Sequence, residues 1–299
     1  MIRVSVVIPV KGDLSGLATL FESLKHQTLP SSTYQVVLVH NSFGVIEIGA
    51  KKQFETVSVA EPTGFSYTAR NTGIMHSKGE FIALTDSDCI PHPTWLEEGL
   101  RCLEQEENSF VAGNISVFPG SQRPTLVEKH QMTFAFDQHV NDVLGRGFPT
   151  ANLFVRRRDF DQLGLFSSSL ESGGDAEWTR RAQAAGRKVV VCTDAIVFHP
   201  ARRRIRDITR QRRRYARAIS GFNATHDRLA FVRRWNNPRQ FMWARLIKNK
   251  KLSRADRMAV AGFHLLLALL QLTFTVVELS KQIFRGSQRQ ENFSTGSDR

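Results

Sequence analysis

Gly79-Glu-Phe-Ile-Ala-Leu-Thr-Asp-Ser-Asp, residues 79–88, joins a turn glycine, a short apolar run and two aspartates one residue apart. Phe81–Thr85 has the length and character of a strand covered on both faces. In an open parallel sheet, ligands gather at the carboxyl ends of the strands, which is where Asp86 and Asp88 fall. If the chain runs extended there, the alternation points both carboxylates the same way. Two hard oxygen ligands side by side suit Mg²⁺ or Mn²⁺, and such an ion also binds a nucleotide diphosphate. The pair has a second reading, because aspartates at this spacing also occur on loops and helix caps.

Upstream, Val4–Val10 is a continuous apolar, β-branched run that predicts another two-sided strand. Asp13 is placed to cap the segment in which Leu14, Leu17, Leu20, Phe21 and Leu24 recur at helical spacing. Val36–Val39 and Thr56–Val59 read as strands, Tyr67–His76 as a helix, and Pro93–Gln105 as another. This alternation predicts an α/β fold with a largely parallel sheet and helices on both faces. The second half is less regular. Phe110–Phe118, Asn152–Val155, Lys188–Cys192 and Ile196–Phe198 read as strands, Arg158–Leu163 and Asp175–Ala185 as helices, and residues 121–147 fit neither pattern.

With 41% apolar residues, the 299-residue chain has enough to bury a core. Cys89, Cys102 and Cys192 are odd in number and widely spaced, so no disulfide framework is expected. The first residues read as a strand and not as a signal peptide, which with the cysteines leads us to expect a cytosolic catalytic part. The net charge of +13 is unevenly held. Residues 1–200 carry 18 Lys and Arg against 22 Asp and Glu, whereas residues 201–299 carry 23 against 6. A basic excess confined to the last third points to an anionic surface, phospholipid or nucleic acid.

Four segments carry a resemblance. Val6–Val10, Thr68-Ala-Arg-Asn-Thr-Gly-Ile (68–74), residues 79–88 and Asp175-Ala-Glu-Trp-Thr-Arg-Arg (175–181) resemble, in order and spacing, the family 2 glycosyltransferases of the GT-A fold. The resemblance runs over roughly residues 3–200. It implies a Rossmann-like GT-A domain and transfer of a sugar from a nucleotide donor, with Mn²⁺ or Mg²⁺ as cofactor. By it, Pro9 and Lys11 lie where the first strand meets the base, Arg70 lies near the nucleotide, and Asp86 and Asp88 hold ribose, metal and diphosphate. Asp175 matches the catalytic base of inverting members, and His199 a histidine that completes the metal or phosphate site in some. Arg180 and Arg181 match family arginines at the acceptor or diphosphate.

Several of these positions have a bland alternative. Asp175 is also a fitting helix N-cap, Trp178 serves equally as an acceptor platform or as core, and a helical Arg is commonly a solvated or ion-paired side chain. Where the family has an acidic residue after the second strand, this chain has Asn41, which can hydrogen-bond a base or ribose without charge. Chemistry asks for the same groups independently. A carboxylate must take the acceptor proton, and cations must meet the charge growing on the departing diphosphate.

We therefore expect a GT-A domain over residues 1–200, a basic helical extension over 201–257, an apolar helix over 258–285 and a polar tail over 286–299. In the extension, nine arginines between Arg202 and Arg217 face only Asp207. In Met258–Leu279, polar His264, Gln271 and Glu278 fall seven apart, drawing one polar stripe on an apolar cylinder. That pattern predicts attachment to an anionic membrane at its cytoplasmic face, with the helix lying in the interface or spanning. The expected partners are a nucleotide sugar and a saccharide or lipid-linked acceptor in cell-surface polysaccharide or glycolipid synthesis. The alternatives are a nucleotidyltransferase of like fold, or a non-catalytic protein binding nucleic acid or other anions through its arginines.

Overall fold

The computed structural model describes residues 1–11, 15–40, 53–62, 65–221, 239–250 and 252–294. Asp13 and Asn41, a predicted cap and a predicted base contact, lie outside the described residues. The chain divides into two units, Met1–Pro124 with Phe134–Ala201, and Thr125–Thr133 with Arg202–Arg299.

In chain order the elements are β1 (Val4–Val10), α1 (Ser15–Lys25), β2 (Tyr34–His40), β3 (Glu55–Ala60), α2 (Ser66–Met75), β4 (Phe81–Thr85), β5 (Ile90–Pro91), α3 (Trp95–Gln105) and β6 (Ser109–Phe118). They continue with α4 (Leu126–Phe134), α5 (Gln138–Val143), β7 (Asn152–Arg156), α6 (Arg157–Leu163), α7 (Gly174–Ala184), β8 (Lys188–Pro200), α8 (Ile205–Gly221), α9 (Arg239–Lys248) and α10 (Arg254–Ser294).

The first unit is built on one eight-stranded sheet in the order β3-β2-β1-β4-β7-β6-β8-β5. Strand alternation sorts its side chains onto two helical layers. Val4, Val6 and Ile8 of β1 and Val36 and Leu38 of β2 share a cluster with Leu20 and Leu24 of α1 and Trp95 and Leu100 of α3. Val7, Val37, Val39, Ile82 and Leu84 point the other way and join Ile74 of α2 and Trp178 and Ala182 of α7. Burying each such side chain contributes about 1.5–3 kcal/mol, which is why continuous apolar runs form the centre of the sheet.

The sheet is more mixed than expected. β3, β2, β1 and β4 are parallel, as the βαβ pattern predicts. β7 then enters antiparallel between β4 and β6, and β5 pairs antiparallel with β8. The two predicted strands Lys188–Cys192 and Ile196–Phe198 are one strand, β8. Its parallel register on β6 jumps from Gly113↔Cys192 to Asn114↔Ile196, leaving Thr193–Ala195 as an irregularity. Asn152 fastens that spot from β7, its amide donating to the carbonyls of Asn114 and Ala195 while its Oδ1 accepts from the Trp95 indole at 2.8 Å.

The cysteines also depart from expectation. Cys102 on α3 and Cys192 on β8 are joined as a disulfide, and Cys89 is left as the free thiol. The sequence separation of 90 disguised the pair, because it is α3 packing on β8 that closes the distance. Residues 121–147, unassigned by periodicity, hold α4 and α5, and the side chain of Asp137 caps α5 through the Val140 N–H.

The second unit gathers Thr125–Thr133, which holds most of α4, with α8, α9 and α10. Val127, Ile208, Phe263 and Leu267 form its small core. The basic extension and the apolar helix thus belong to one unit, and α10 runs on through the start of the expected polar tail. The polar stripe turns inward: His264 meets His130 at 3.0 Å, and Gln271 is 1% exposed and bonded to Thr275. On the other side of α10, Leu265, Leu266, Leu269, Leu272, Val276 and Val277 are exposed.

Candidate active site

β4 ends at Thr85, whose hydroxyl is tied to the Ala151 carbonyl. The backbone then turns instead of running extended, and the Cys89 N–H closes onto the Asp86 carbonyl at 3.1 Å. The two aspartates therefore converge through a β-turn and not through strand alternation. The next two residues, Ile90 and Pro91, pair with Phe198 and Val197 of β8. Continuing that antiparallel register by one residue sets His199 opposite Cys89, so the end of β8 delivers the imidazole to the turn.

The result is a compact donor set. One ligand atom from each of Asp86, Asp88, Cys89 and His199 lies within 4.8 Å of every other. His199 Nε2 stands 4.0 Å from Asp88 Oδ1, while Nδ1 lies 2.8 Å from the Pro200 carbonyl. A carbonyl can only accept, so Nδ1 donates to it, and in the neutral ring the Nε2 lone pair faces the carboxylates. This is the tautomer a metal-ligating histidine needs. Asp88 is half exposed and Asp86 somewhat less so, whereas His199 is buried against Phe136. Two carboxylates and an imidazole converging on one point fit a divalent cation. Burial, then the charges of Asp86 and Asp88, pushes the Cys89 thiol well above its ordinary range.

A second carboxylate group is linked to the first through α2. Arg70 donates to Asp86 Oδ1 at 2.5 Å and to the Ser66 carbonyl, and its guanidinium lies 5.7 Å from the centre of the Tyr67 ring. The Tyr67 hydroxyl donates to Asp175 Oδ1 at 2.9 Å. Tyr67 and Arg70 are three apart on one helix, so they share a face and reach the two aspartates together. Gly173, in the left-handed region at φ 80°, caps α7, and its carbonyl accepts from the Glu177 N–H. Asp175 is accordingly in the first turn and not the N-cap, where its carboxylate also suits the helix dipole and accepts from the Ala176 N–H. Gly174 leaves room for the Tyr67 ring, since a Cβ there would sit 2.8 Å from it.

Asp175 keeps part of its surface open but is otherwise packed about by protein. That desolvation raises its carboxyl above the ordinary 3.8, against the lowering by the Ala176 N–H, the Tyr67 hydroxyl and the Arg70 charge. The same burial, aided by the Asp175 charge, holds Tyr67 protonated far above its ordinary range. Tyr67 is therefore a hydrogen-bond donor to a carboxylate whose proton affinity is increased, which is what a general base requires.

Of the other expected residues, Pro9 lies in β1 opposite Val39, and Lys11 is exposed just beyond the end of that strand. Trp178 takes the core alternative: it is fully buried among Phe110, Phe160 and Phe166, and its indole donates to the Gly164 carbonyl. It has no face to offer an acceptor. Arg181 is likewise structural, held by Glu177 and by the carbonyls of Leu163 and Leu165. Arg180 donates to the Ala176 carbonyl one turn back. Sequence reasoning passed over Tyr67 and Cys89. The signals were present, since Tyr67 precedes Arg70 by one helical step and Cys89 follows the aspartate pair directly.

At the end of β4, then, a turn gathers two carboxylates and an imidazole, and Arg70 and Tyr67 of α2 link it to a desolvated carboxylate on α7. The profile of glycosyl transferase family 2 matches residues 5–164. The chain belongs to that family and is a glycosyltransferase, which sets aside the nucleotidyltransferase and binding-protein alternatives. It is similar to glycosyltransferase AglE of Haloferax volcanii, 36% identical over 208 residues, 67% of each chain. It is also similar to the pre-mycofactocin glycosyltransferase of Mycobacterium tuberculosis, 28% identical over 68% of this chain and 44% of that one. The matching stretch thus spans less than half of the mycobacterial relative. Among solved structures, Staphylococcus aureus TarS 1-349 in complex with UDP-GlcNAc superposes with a TM-score of 0.55 at 15% identity, covering 97% of this chain and 92% of that one. Mannosyltransferase PcManGT of Pyrobaculum calidifontis, in complex with GDP-Man and Mn²⁺, gives 0.54 at 15% identity, over 92% and 84%. At such identity these two likenesses speak to the fold.

Proposed function

We propose that the protein transfers a sugar from a nucleotide-sugar donor to a saccharide or lipid-linked acceptor, with inversion, in the synthesis of a cell-surface polysaccharide or glycolipid. The observation that carries this reading is the linkage of two carboxylate groups through one helix, Asp86 to Arg70 and Tyr67 to Asp175. Asp86, Asp88 and His199 would hold a divalent cation, Mn²⁺ or Mg²⁺, and Pro9 and Lys11 border the base. A cation held there would supply charge neutralisation for the departing diphosphate. Asp175 takes the proton of the acceptor hydroxyl as its oxygen attacks the anomeric carbon from the side opposite the leaving group. The glycosidic C–O bond forms as the bond to the diphosphate breaks, and the configuration inverts. Arg70 adds a fixed positive charge beside Asp86.

The relatives support the substrate class. A poly(ribitol-phosphate) beta-glucosyltransferase of Bacillus spizizenii is 32% identical over 67% of this chain, though over 32% of its own length. The two solved neighbours hold a uridine and a guanosine sugar nucleotide, so both bases are candidates here. The second unit supports attachment to an anionic membrane, which we assign to the cytoplasmic face. α10 is long and apolar enough to cross a bilayer, and only 33% of its most apolar window is buried. A helix with one face packed, its polar stripe turned inward and an exposed apolar side fits the interface, beside the arginines of α8 that favour anionic headgroups.

A thermal-shift screen of UDP- and GDP-sugars with Mn²⁺ and Mg²⁺ tests the reading. One nucleotide sugar is expected to stabilise the protein by several degrees in a cation-dependent way. Absence of any cation-dependent stabilisation across the panel would overturn it.

A further inference from the structure

Cys89 is the free cysteine among the described residues, wholly buried, and the transfer reaction gives it no part. Its Sγ nevertheless belongs to the same four-atom group as Asp86, Asp88 and His199. The turn that gathers the aspartates is closed by the Cys89 backbone, and the strand pairing that delivers His199 sets it opposite Cys89. The thiol is thus carried into the group by the two features that build it.

Ligand chemistry separates the four atoms. Hard cations such as Mg²⁺ take oxygen and gain little from sulfur, whereas zinc-like cations favour thiolate and imidazole. Tetrahedral zinc holds its ligands at about 2.0–2.3 Å, which sets them roughly 3.3–3.8 Å apart. No pair of donor atoms here exceeds 4.8 Å, so the widest needs to close by only about 1 Å.

We propose that Asp86, Asp88, Cys89 and His199 also form a site for a borderline-soft divalent cation of the zinc class, bound through the Cys89 sulfur and competing with the hard cation of transfer. The proposal rests on the reading of Asp86, Asp88 and His199 as the cation site. On binding, the thiol gives its proton to solvent and a metal–sulfur bond forms. Four protein ligands close a tetrahedral shell and leave no position for the donor diphosphate, so the soft cation inhibits. Cys89 thereby decides which metals the enzyme tolerates.

Cobalt(II), a spectroscopic stand-in for zinc, tests this on the full chain. The wild-type cobalt complex is expected to show a near-ultraviolet sulfur-to-cobalt charge-transfer band, and zinc to displace bound Mn²⁺. Cys89→Ser should abolish the band and weaken zinc about tenfold or more while Mn²⁺ still binds, since even an outer-shell partner contributes that much. Cys89→Ala serves as a second variant should the serine disturb the core, and Cys102→Ser/Cys192→Ser should keep the band. A wild-type complex without the band, or a band that survives in Cys89→Ser, overturns the proposal while leaving the hard-cation site standing. Failure of cobalt, zinc and Mn²⁺ alike to bind overturns both.

Discussion

The turn after β4 and the first turn of α7 both present aspartates to the site, in opposite surroundings. Asp86 and Asp88 stand partly open to solvent, with Arg70 on one and His199 near the other. Asp175 is packed about by protein, and its surroundings raise its proton affinity. On the proposed reading, one residue type does two jobs because solvation differs. A carboxylate that holds a cation has to be open to it. A carboxylate that accepts a proton has to want one, and desolvation supplies that.

Asp175→Asn tests this contrast most severely. Transfer should fall by about 10²–10⁴-fold, measured with the donor found by the screen. The same variant should unfold at a higher temperature than wild type at neutral pH. The folded-state carboxyl titrates above its ordinary 3.8, so the folded protein binds the proton more readily than the unfolded chain. Stability contributed by this group is therefore present at low pH and lost as pH rises through that window, and Asn removes the loss. A variant less stable than wild type at neutral pH would contradict the desolvation argument.

Asp88→Ala is the counterpart at the open end. Activity should fall by about 10²–10³-fold, with Mn²⁺ binding weakened in a calorimetric titration. No pH-dependent gain in stability should accompany it. A gain like that of Asp175→Asn would erase the contrast between the two regions.

Tyr67→Phe probes the link between them and should have the smallest effect, about tenfold in kcat, comparable to one lost hydrogen bond to a charged group. The Tyr67 hydroxyl lowers the Asp175 carboxyl, so its removal should move the acid limb of the pH–rate profile upward. An unmoved limb with reduced kcat would make Tyr67 a packing residue alone.

How much of this was legible depends on the distance over which each signal acts. β1, β2 and β4 were readable because a strand buried on both faces writes itself as an unbroken apolar run. Helix α1 was readable from its one-sided leucines. β8 was read as two strands because Thr193–Ala195 interrupts its apolar pattern, and only pairing with β6 shows that it continues. Trp178 left its two roles open, as an aromatic on a helix does until its neighbours are known.

The sequence by itself determined the α/β class of the fold, the placing of an aspartate pair at a strand end, and the family. These follow from local periodicity and from short motifs in fixed order. Only the tertiary structure decided that the pair converges through a turn, that β5 on β8 brings His199 to it, and that Cys102 meets Cys192. It alone joined Asp175 to Asp86 through Tyr67 and Arg70, and turned the polar stripe of α10 inward. Apart from the turn, each is a contact between residues far apart in the chain, set by which faces pack together, and no local pattern carries that information.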